Sequence, residues 1–171
     1  MNATRYVYKV VIIGDFAVGK TSLINEYMEK TFQYDYKPTI GANIAKREFK
    51  IPKSNDTASV NFWDIAGQKM FVTLHRPFFE GANGVLIVYD VTRPESFNNL
   101  STWYSDFKKI VKFDVPGVVI GNKIDLDRKV KTKKGKKYAD SIGFYFIETS
   151  AKNNLNVEEA FRYLLSNILP K

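Results

Sequence analysis

Short apolar runs, each bounded by Gly, Asp or Asn, recur along the chain and predict buried parallel β-strands. These runs are rich in β-branched side chains and lie near residues 6–13, 58–65, 84–90, 117–121 and 144–148. Residues 43–51 instead alternate between two sets of side chains and lead into a turn that contains Pro and Asn. That alternation predicts a hairpin, which adds one antiparallel strand to the sheet.

Helical stretches separate the strands. The candidates are residues 20–30, 94–112, 132–142 and 156–169, with an irregular segment after Gln68. Alternating strands and helices, joined by right-handed crossovers, predict a single α/β domain over residues 1–171. We expect a three-layer, doubly wound fold around a mostly parallel six-stranded sheet with one antiparallel strand. Ligands in such folds bind outside the carboxyl ends of the strands, so polar residues at those ends form the candidate site.

Composition narrows the class of protein. The chain has no cysteine, so disulfides and thiolate metal sites are excluded. No apolar run reaches the roughly 18 residues needed to span a bilayer. The N-terminus lacks the apolar core of a signal peptide, so we expect a cytoplasmic protein.

Positive charge is concentrated in one segment. The net charge is +8, and seven of the ten residues in 128–137 are Lys or Arg. A solvated basic helix face would explain this run, and contact with an acidic partner or an anionic membrane is the other interpretation. Nucleic acid is not expected as a partner, because no aromatic stacking motif or recognition helix accompanies the charge.

Residues 14–21 carry the pattern G-x-x-x-x-G-K-[ST] between an apolar strand and a predicted helix. In that context the pattern indicates a phosphate-binding loop, and hence a P-loop NTPase. Gly14 and Gly19 permit the tight turn that points backbone N–H groups inward. Lys20 supplies positive charge for the β and γ phosphates, and the Thr21 hydroxyl is a ligand for Mg²⁺. The predicted nucleotide-binding residues of the loop are Asp15, Phe16, Ala17, Val18, Gly19, Lys20, Thr21 and Ser22.

A second motif follows the strand at 58–65. Asp64 ends an apolar run, where a carboxylate is held rigidly and binds Mg²⁺, usually through water. Gly67 offers an unobstructed N–H to a γ phosphate, and the Gln68 amide is placed to orient an attacking water. Asp-x-x-Gly alone is a common turn, so the prediction depends on its pairing with the phosphate-binding loop.

Two further motifs indicate recognition of guanine. The Asp125 carboxylate can accept hydrogen bonds from the guanine N1–H and exocyclic amine, a pair of donors that adenine lacks. Asn122 and Lys123 are expected to brace the loop and cover the base, and the Ala151 N–H is expected to reach guanine O6. Each motif alone is explained equally well as a polar turn after a strand. The base-binding set is Asn122, Lys123, Asp125, Leu126, Ser150, Ala151 and Lys152.

With four motifs in order, the chain resembles a small GTPase of the Ras superfamily, most closely the Rab branch. Rab-like stretches lie at residues 36–41, 63–68, 88–92 and 95–97. The resemblance implies a small GTPase G domain in which Thr39 reaches Mg²⁺ and the γ phosphate, completing the metal set of Thr21, Thr39 and Asp64. It also implies that Phe32 packs against guanine, that Tyr36 contacts nucleotide, and that Gln68, Lys20 and Thr39 are catalytic.

The resemblance also assigns partners. Residues 33–42 and 67–78 correspond to the two switch segments, through which effectors, exchange factors and GTPase-activating proteins bind. Phe16 stands where the family commonly has a small residue, and Lys69 stands where an acidic residue is usual. The first difference bears on stimulated hydrolysis and the second on nucleotide exchange. Residues 41–44 and 69–72 also differ from typical Rab sequences.

The sequence therefore predicts a monomeric switch that binds GTP and GDP with Mg²⁺ and hydrolyses GTP slowly. One alternative is a pseudo-GTPase, a module that binds nucleotide without cycling, which Phe16 favours. The other alternative is a P-loop kinase or ATPase. This chain lacks the substrate-binding insertion of such enzymes, and that interpretation leaves residues 122–125 unexplained. The chain ends at Lys171 without a cysteine. Either a lipidated tail is missing, which would make the protein peripheral on the cytosolic face of membranes, or this member is not prenylated.

Overall fold

The computed structural model describes residues 3–29, 38–68 and 75–170. Within them, six strands form one sheet: β1 Arg5–Ile13, β2 Ala42–Lys50, β3 Thr57–Ile65, β4 Gly84–Asp90, β5 Gly117–Asn122 and β6 Tyr145–Thr149. Their order across the sheet is β2-β3-β1-β4-β5-β6. The β2 and β3 strands pair antiparallel, and all other neighbours pair in parallel. The predicted hairpin is thus confirmed.

Helices cover both faces of the sheet. They are α1 Lys20–Tyr27, α2 His75–Phe79, α3 Pro94–Asn98, α4 Leu100–Ile110, α5 Thr132–Ser141 and α6 Val157–Ile168. Buried side chains of α1 and α6 pack on one face, and those of α2, α4 and α5 pack on the other. The structure confirms the predicted three-layer, doubly wound fold.

Alternation along the central strands builds two cores. In β1, Val10 and Ile12 belong to the core under α1 and α6, whereas Val11 and Ile13 belong to the opposite core. All four side chains are fully buried. Each such side chain stabilises the fold by about 1.5–3 kcal/mol relative to an exposed one. Burial on both sides explains why these strands read as continuous apolar runs.

The helix predicted over 94–112 is interrupted, since α3 and α4 are separated by Asn99. Its backbone has ψ −8°, far from the helical value of about −42°. The hydrogen-bond ladder nevertheless continues, because the Asn99 N–H donates to Glu95 O at 3.0 Å and its carbonyl accepts from Trp103 N–H at 3.1 Å. The Asn99 side chain is also bonded outside the helix, to Asp15.

Two other helix predictions need correction. The helix predicted over 20–30 ends at Tyr27, and Glu29 adopts φ +59°, a conformation that terminates a helix. The irregular segment predicted after Gln68 falls mostly outside the described residues, but its described end forms the short helix α2. None of the helices in the described ranges is long and apolar enough to cross a membrane.

The carboxyl ends of the parallel strands meet at one edge, where the motifs follow. Gly14 directly follows β1 with φ +143°, and a Cβ at this position would collide with the Val88 carbonyl of β4. A Cβ at Gly67 would likewise collide with the backbone of Asp15 and Phe16. The second motif therefore lies directly against the first, and both contacts require glycine.

Candidate nucleotide-binding site

Side-chain donors hold five successive carbonyl groups of the phosphate-binding loop. Lys20 Nζ donates to the carbonyls of Gly14 and Asp15, each at 2.9 Å. Neighbouring elements hold the next three: Phe16 O accepts from Arg93 Nη1 at 2.7 Å, Ala17 O from Lys123 Nζ at 2.6 Å and Val18 O from Asn122 Nδ2 at 3.0 Å. A glycine-rich turn held in this way between a strand and the N-terminus of a helix is an anion-binding arrangement.

Lys20 brings positive charge into this turn at a cost. Burial lowers the pKa of its ammonium to about 8, a drop that Asp64 and Asp15 oppose and that Arg93 increases. A bound anion would favour the charged form and reverse the shift. The loop is thus suited to a ligand with several negative charges.

Oxygen ligands for a metal converge beside the loop. The Thr21 hydroxyl donates a short hydrogen bond to Asp64 Oδ2, and the Thr39 hydroxyl lies 3.1 Å from Thr21 Oγ1 and 3.4 Å from Asp64 Oδ2. The other carboxylate oxygen, Asp64 Oδ1, is buried and has no hydrogen-bond partner within the described part of the chain. Burial also raises the pKa of Asp64. One unsatisfied carboxylate oxygen beside two hydroxyls fits the oxygen ligands that Mg²⁺ prefers.

A cavity of about 250 Å³ borders the phosphate-binding loop at Gly19. Asp125 stands at its rim, where its Oδ1 accepts a hydrogen bond from Ser150 Oγ at 2.6 Å. The lining residues are Gly19, Ser22, Asn122, Lys123, Asp125, Leu126, Ala151 and Lys152. The cavity therefore assembles most of the residues predicted to bind guanine, and it is continuous with the loop through Gly19.

Asn122 connects this cavity to the loop. Its Nδ2 holds the Val18 carbonyl, and its Oδ1 accepts from Thr149 Oγ1 at 2.9 Å and from the Ala151 N–H at 3.3 Å. The last of these bonds is long and therefore weak. Lys123 adds a second connection, because its ammonium also forms a 2.9 Å ion pair with the buried Asp90.

A larger cavity, of about 560 Å³, opens on the α4 side of the loop. Phe16 and Gln68 both line it, together with Arg93 and Trp103. The Phe16 side chain is 41% exposed. The bulky loop residue and the predicted water-orienting amide therefore share one space.

The family assignment follows from comparison with known sequences. The sequence profile of the Ras family matches residues 9–170. The chain belongs to this family. Its members are small GTPases that bind guanine nucleotide, so the chain is a small GTPase.

Its relatives include Rab proteins from three organisms. It is 40% identical to Ras-related protein RABA6b of Arabidopsis thaliana over 165 residues, which are 95% of this chain and 71% of that protein. It is 42% identical to Ras-related protein Rab7 of Drosophila melanogaster over 175 residues, covering 96% and 82% of the two chains. Ras-related protein Rab-2B of Dictyostelium discoideum is 39% identical over 169 residues, with coverage of 98% and 83%. The predicted resemblance to the Rab branch is confirmed.

Several predicted site residues of this GTPase lie outside the described residues. These are Phe32 and Tyr36, together with Lys69 and residues 33–37 and 69–74 of the two switch segments. The described parts of those segments are residues 38–42, 67–68 and 75–78. Of the residues predicted to be catalytic, Thr39 and Gln68 lie in the described parts of these segments.

Sequence reasoning missed five side chains that hold the site: Asp90, Arg93, Asn99, Trp103 and Thr149. Asp90 and Thr149 end β4 and β6, so the argument that selects polar residues at strand ends could have found them. Arg93, Asn99 and Trp103 lie on or beside α3 and α4. Nothing in their spacing indicates that they contact the phosphate-binding loop.

The basic run at 128–137 precedes and includes most of α5. Arg128 forms a paired hydrogen bond with Glu148, at 2.6 and 2.9 Å, and Lys136 forms an ion pair with Asp140. Among the residues that the structure describes, no ion pair involves the other five: Lys129, Lys131, Lys133, Lys134 and Lys137. All five are exposed. We refer to these five lysines as the basic surface.

Proposed function

We propose that this GTPase is a molecular switch that binds GTP and GDP with Mg²⁺, hydrolyses GTP slowly and presents a different surface to its partners in each state. The side-chain hydrogen bonds that hold the carbonyls of residues 14–18 support this proposal most directly. They fix the loop around a buried Lys20, next to the Asp64 carboxylate and the Thr21 and Thr39 hydroxyls. A triphosphate with a divalent cation matches that combination of charges.

Binding of the nucleotide divides among residues on both sides of the loop. The N–H groups of residues 15–22 and the Lys20 ammonium bind the β and γ phosphates. Asp125 accepts from the guanine N1–H and exocyclic amine, while Lys123 and Leu126 cover the base. Asn122, Ser150, Ala151 and Lys152 shape the base cavity. Contacts from Phe32 and Tyr36 rest on the family resemblance alone.

Thr21, Thr39 and Asp64 are the residues that would hold Mg²⁺, Asp64 through its unsatisfied oxygen or through water. When bound there, Mg²⁺ would neutralise part of the phosphate charge. Within the chain, the Gly67 N–H binds the γ phosphate and the Gln68 amide orients the attacking water. Attack at the γ phosphorus breaks its bond to the β–γ bridging oxygen and yields GDP and phosphate. Lys20 stabilises the charge that this bond breaking shifts toward the leaving oxygen.

Partners are expected on two surfaces. Residues 33–42 and 67–78 are the proposed contacts for effectors, exchange factors and activating proteins, and the Rab relatives support a role in membrane trafficking. The basic surface is proposed to contact anionic lipid, because its five lysines have no ion pair among the described residues. A non-cycling binding module is the second candidate function, since Phe16 lines the same cavity as Gln68.

The nucleotide released by denaturing the purified protein tests the proposal. We expect guanine nucleotides only, with GTP converted to GDP on incubation before denaturation. Adenine nucleotide would contradict the base assignment. Bound GTP that stays unchanged for days would instead support the non-cycling module.

Replacement of Thr21 with Asn is expected to leave GDP binding favoured over GTP. The substitution removes a hydroxyl from the Thr21, Thr39 and Asp64 cluster, and the γ phosphate depends most on the metal. Competition between GTP and GDP is measured with and without Mg²⁺. The variant should prefer GDP under both conditions, because Mg²⁺ no longer strengthens its binding of GTP. Ser101→Asn is the control, because Ser101 is an exposed hydroxyl residue on α4 that lines neither cavity. An equal loss for both nucleotides in T21N would contradict the metal assignment.

The basic surface is expected to bind acidic vesicles in a salt-dependent manner. Each Lys near an anionic membrane contributes about 1 kcal/mol, which is screened within a Debye length. The combined variant K133E, K134E and K137E should no longer co-sediment with vesicles that contain phosphatidylserine. The control K46E, K50E and K53E places the same charge change at and beside β2, at the opposite edge of the sheet. If the wild-type protein sedimented equally with neutral and anionic vesicles, the basic surface would be only a solvated helix face.

A further inference from the structure

Asp15 lies within the phosphate-binding loop, yet its carboxylate points away from the inner side of the turn. Its Oδ2 accepts from Asn99 Nδ2 at 2.7 Å and its Oδ1 accepts from Trp103 Nε1 at 2.8 Å. Both donors belong to the α3–α4 region, 84 and 88 residues along the chain. Both carboxylate oxygens are thereby engaged by donors from the α3–α4 region.

The adjacent residue is held from the same direction. Arg93, just before α3, donates from Nη1 to the Phe16 carbonyl at 2.7 Å. On the other flank, Lys123 and Asn122 hold the carbonyls of Ala17 and Val18. The loop is therefore fixed from two sides, and the α3–α4 side is independent of the residues that surround the base.

The direction of the Asp15 carboxylate matters because the loop receives an anion. A carboxylate turned inward would repel the phosphates and compete with them for Lys20 and the N–H groups. Charge-assisted hydrogen bonds, which are roughly twice as strong as neutral ones, oppose that rotation. Trp103 is 8% exposed, so its N–H donor has little freedom to turn toward water.

We infer that Arg93, Asn99 and Trp103 are positioning residues that keep the Asp15 carboxylate and the Phe16 peptide turned away from the nucleotide phosphates. The inference rests on the proposed function and adds to it a determinant of phosphate affinity. It makes a specific claim about charge. If the Asp15 carboxylate is released, the protein loses affinity for a nucleotide in proportion to the phosphate charge of that nucleotide. The loss of affinity is therefore largest for GTP, smaller for GDP and smallest for GMP.

A brace that only stabilised the fold would behave differently. Removing contacts that only stabilise the fold would lower the unfolding temperature and reduce the affinities for GTP, GDP and GMP by the same factor. Such a brace would also gain nothing from neutralising Asp15. The two roles are therefore separated by the dependence on phosphate number and by rescue with Asp15→Asn.

Titration of nucleotide-free protein with GTP, GDP and GMP at fixed Mg²⁺ and salt tests the inference. Trp103→Phe keeps the aromatic packing and removes the N–H donor, and Asn99→Ala removes the other donor. We expect each substitution to reduce the affinity for GTP by about tenfold, which is the effect of losing one hydrogen bond to a charged group. The affinity for GDP should fall less, and the affinity for GMP should change little. Asn98→Ala, the same substitution at the exposed neighbouring residue, should match the wild type.

Asp15→Asn in the Trp103→Phe background is expected to restore most of the GTP affinity, because the freed side chain is then neutral. Equal losses for all three nucleotides, unchanged GTP affinity in both single variants, or absence of rescue would each overturn the inference while leaving the proposed function intact. A wild-type protein that binds no guanine nucleotide would overturn the proposed function and the inference together. Thermal unfolding of every variant, measured without nucleotide, reports the stability change separately.

Discussion

Replacement of Asp125 with Asn is expected to weaken GTP binding by about 10³-fold and to shift preference toward xanthine nucleotides. Two hydrogen bonds from guanine to a carboxylate are lost, each worth about 1.5–3 kcal/mol. The direction of the shift follows from the Ser150 hydroxyl, which donates to Asp125 Oδ1. In the variant that hydroxyl holds the amide oxygen, so the amide nitrogen faces the base. Xanthine presents a carbonyl where guanine presents its amine, and it accepts from that nitrogen.

Competition of GTP, XTP and ATP for the purified variant measures this change. Asp127→Asn is a matched control, because Asp127 is an exposed carboxylate in the same loop and does not line the base cavity. It should retain the wild-type preference. GTP affinity that is unchanged in D125N would show that Asp125 does not read the base.

Most of the fold could be predicted because strands that are buried on both faces of the sheet consist of continuous apolar residues, a pattern that is visible in the sequence. Runs such as Val10–Ile13 are apolar without interruption, and the alternating segment at 43–51 forms the antiparallel strand β2. The break at Asn99 left no such record, because its helical hydrogen bonds continue on both sides. What distinguishes Asn99 is a bond to Asp15, 84 residues away.

The site divides in the same way. Motif spacing selected Lys20, Thr21, Asp64 and Asp125 as candidate site residues, since each follows or ends a predicted strand and the topology brings strand ends together. The contacts that orient the loop were not predicted. They come from Arg93 and Trp103, whose positions depend on how α3 and α4 dock on the sheet rather than on local pattern.

Replacement of Phe16 with Gly is expected to raise GTP hydrolysis, most strongly in the presence of an activating protein that supplies an arginine. Such an arginine is worth about 10³ to 10⁵ in rate. Residues 32–42 contain no arginine. Arg93, which does lie at the loop, donates to the Phe16 carbonyl. The activating arginine is therefore expected from a partner.

In the proposed function, the Phe16 ring is expected to lie at the approach to the γ phosphate, since it lines the same 560 Å³ cavity as Gln68 and is 41% exposed. In the wild type it should obstruct an entering arginine and crowd the Gln68 amide, which leaves the GTP state long-lived. Glycine removes the ring but loosens the loop by about 0.5–1 kcal/mol relative to alanine, so nucleotide affinity must be measured alongside the rate.

Single-turnover hydrolysis of GTP by the wild type, F16G and F16L, with and without activator, decides the point. F16L keeps most of the side-chain volume and should remain slow, so a rise in F16G alone would assign the effect to bulk rather than to any change at residue 16. The held Phe16 carbonyl supports this expectation, because Arg93 fixes the backbone from which the ring projects. Rapid turnover in the wild type, or an F16G variant no faster than F16L under either condition, would show that the ring is not the obstacle to hydrolysis.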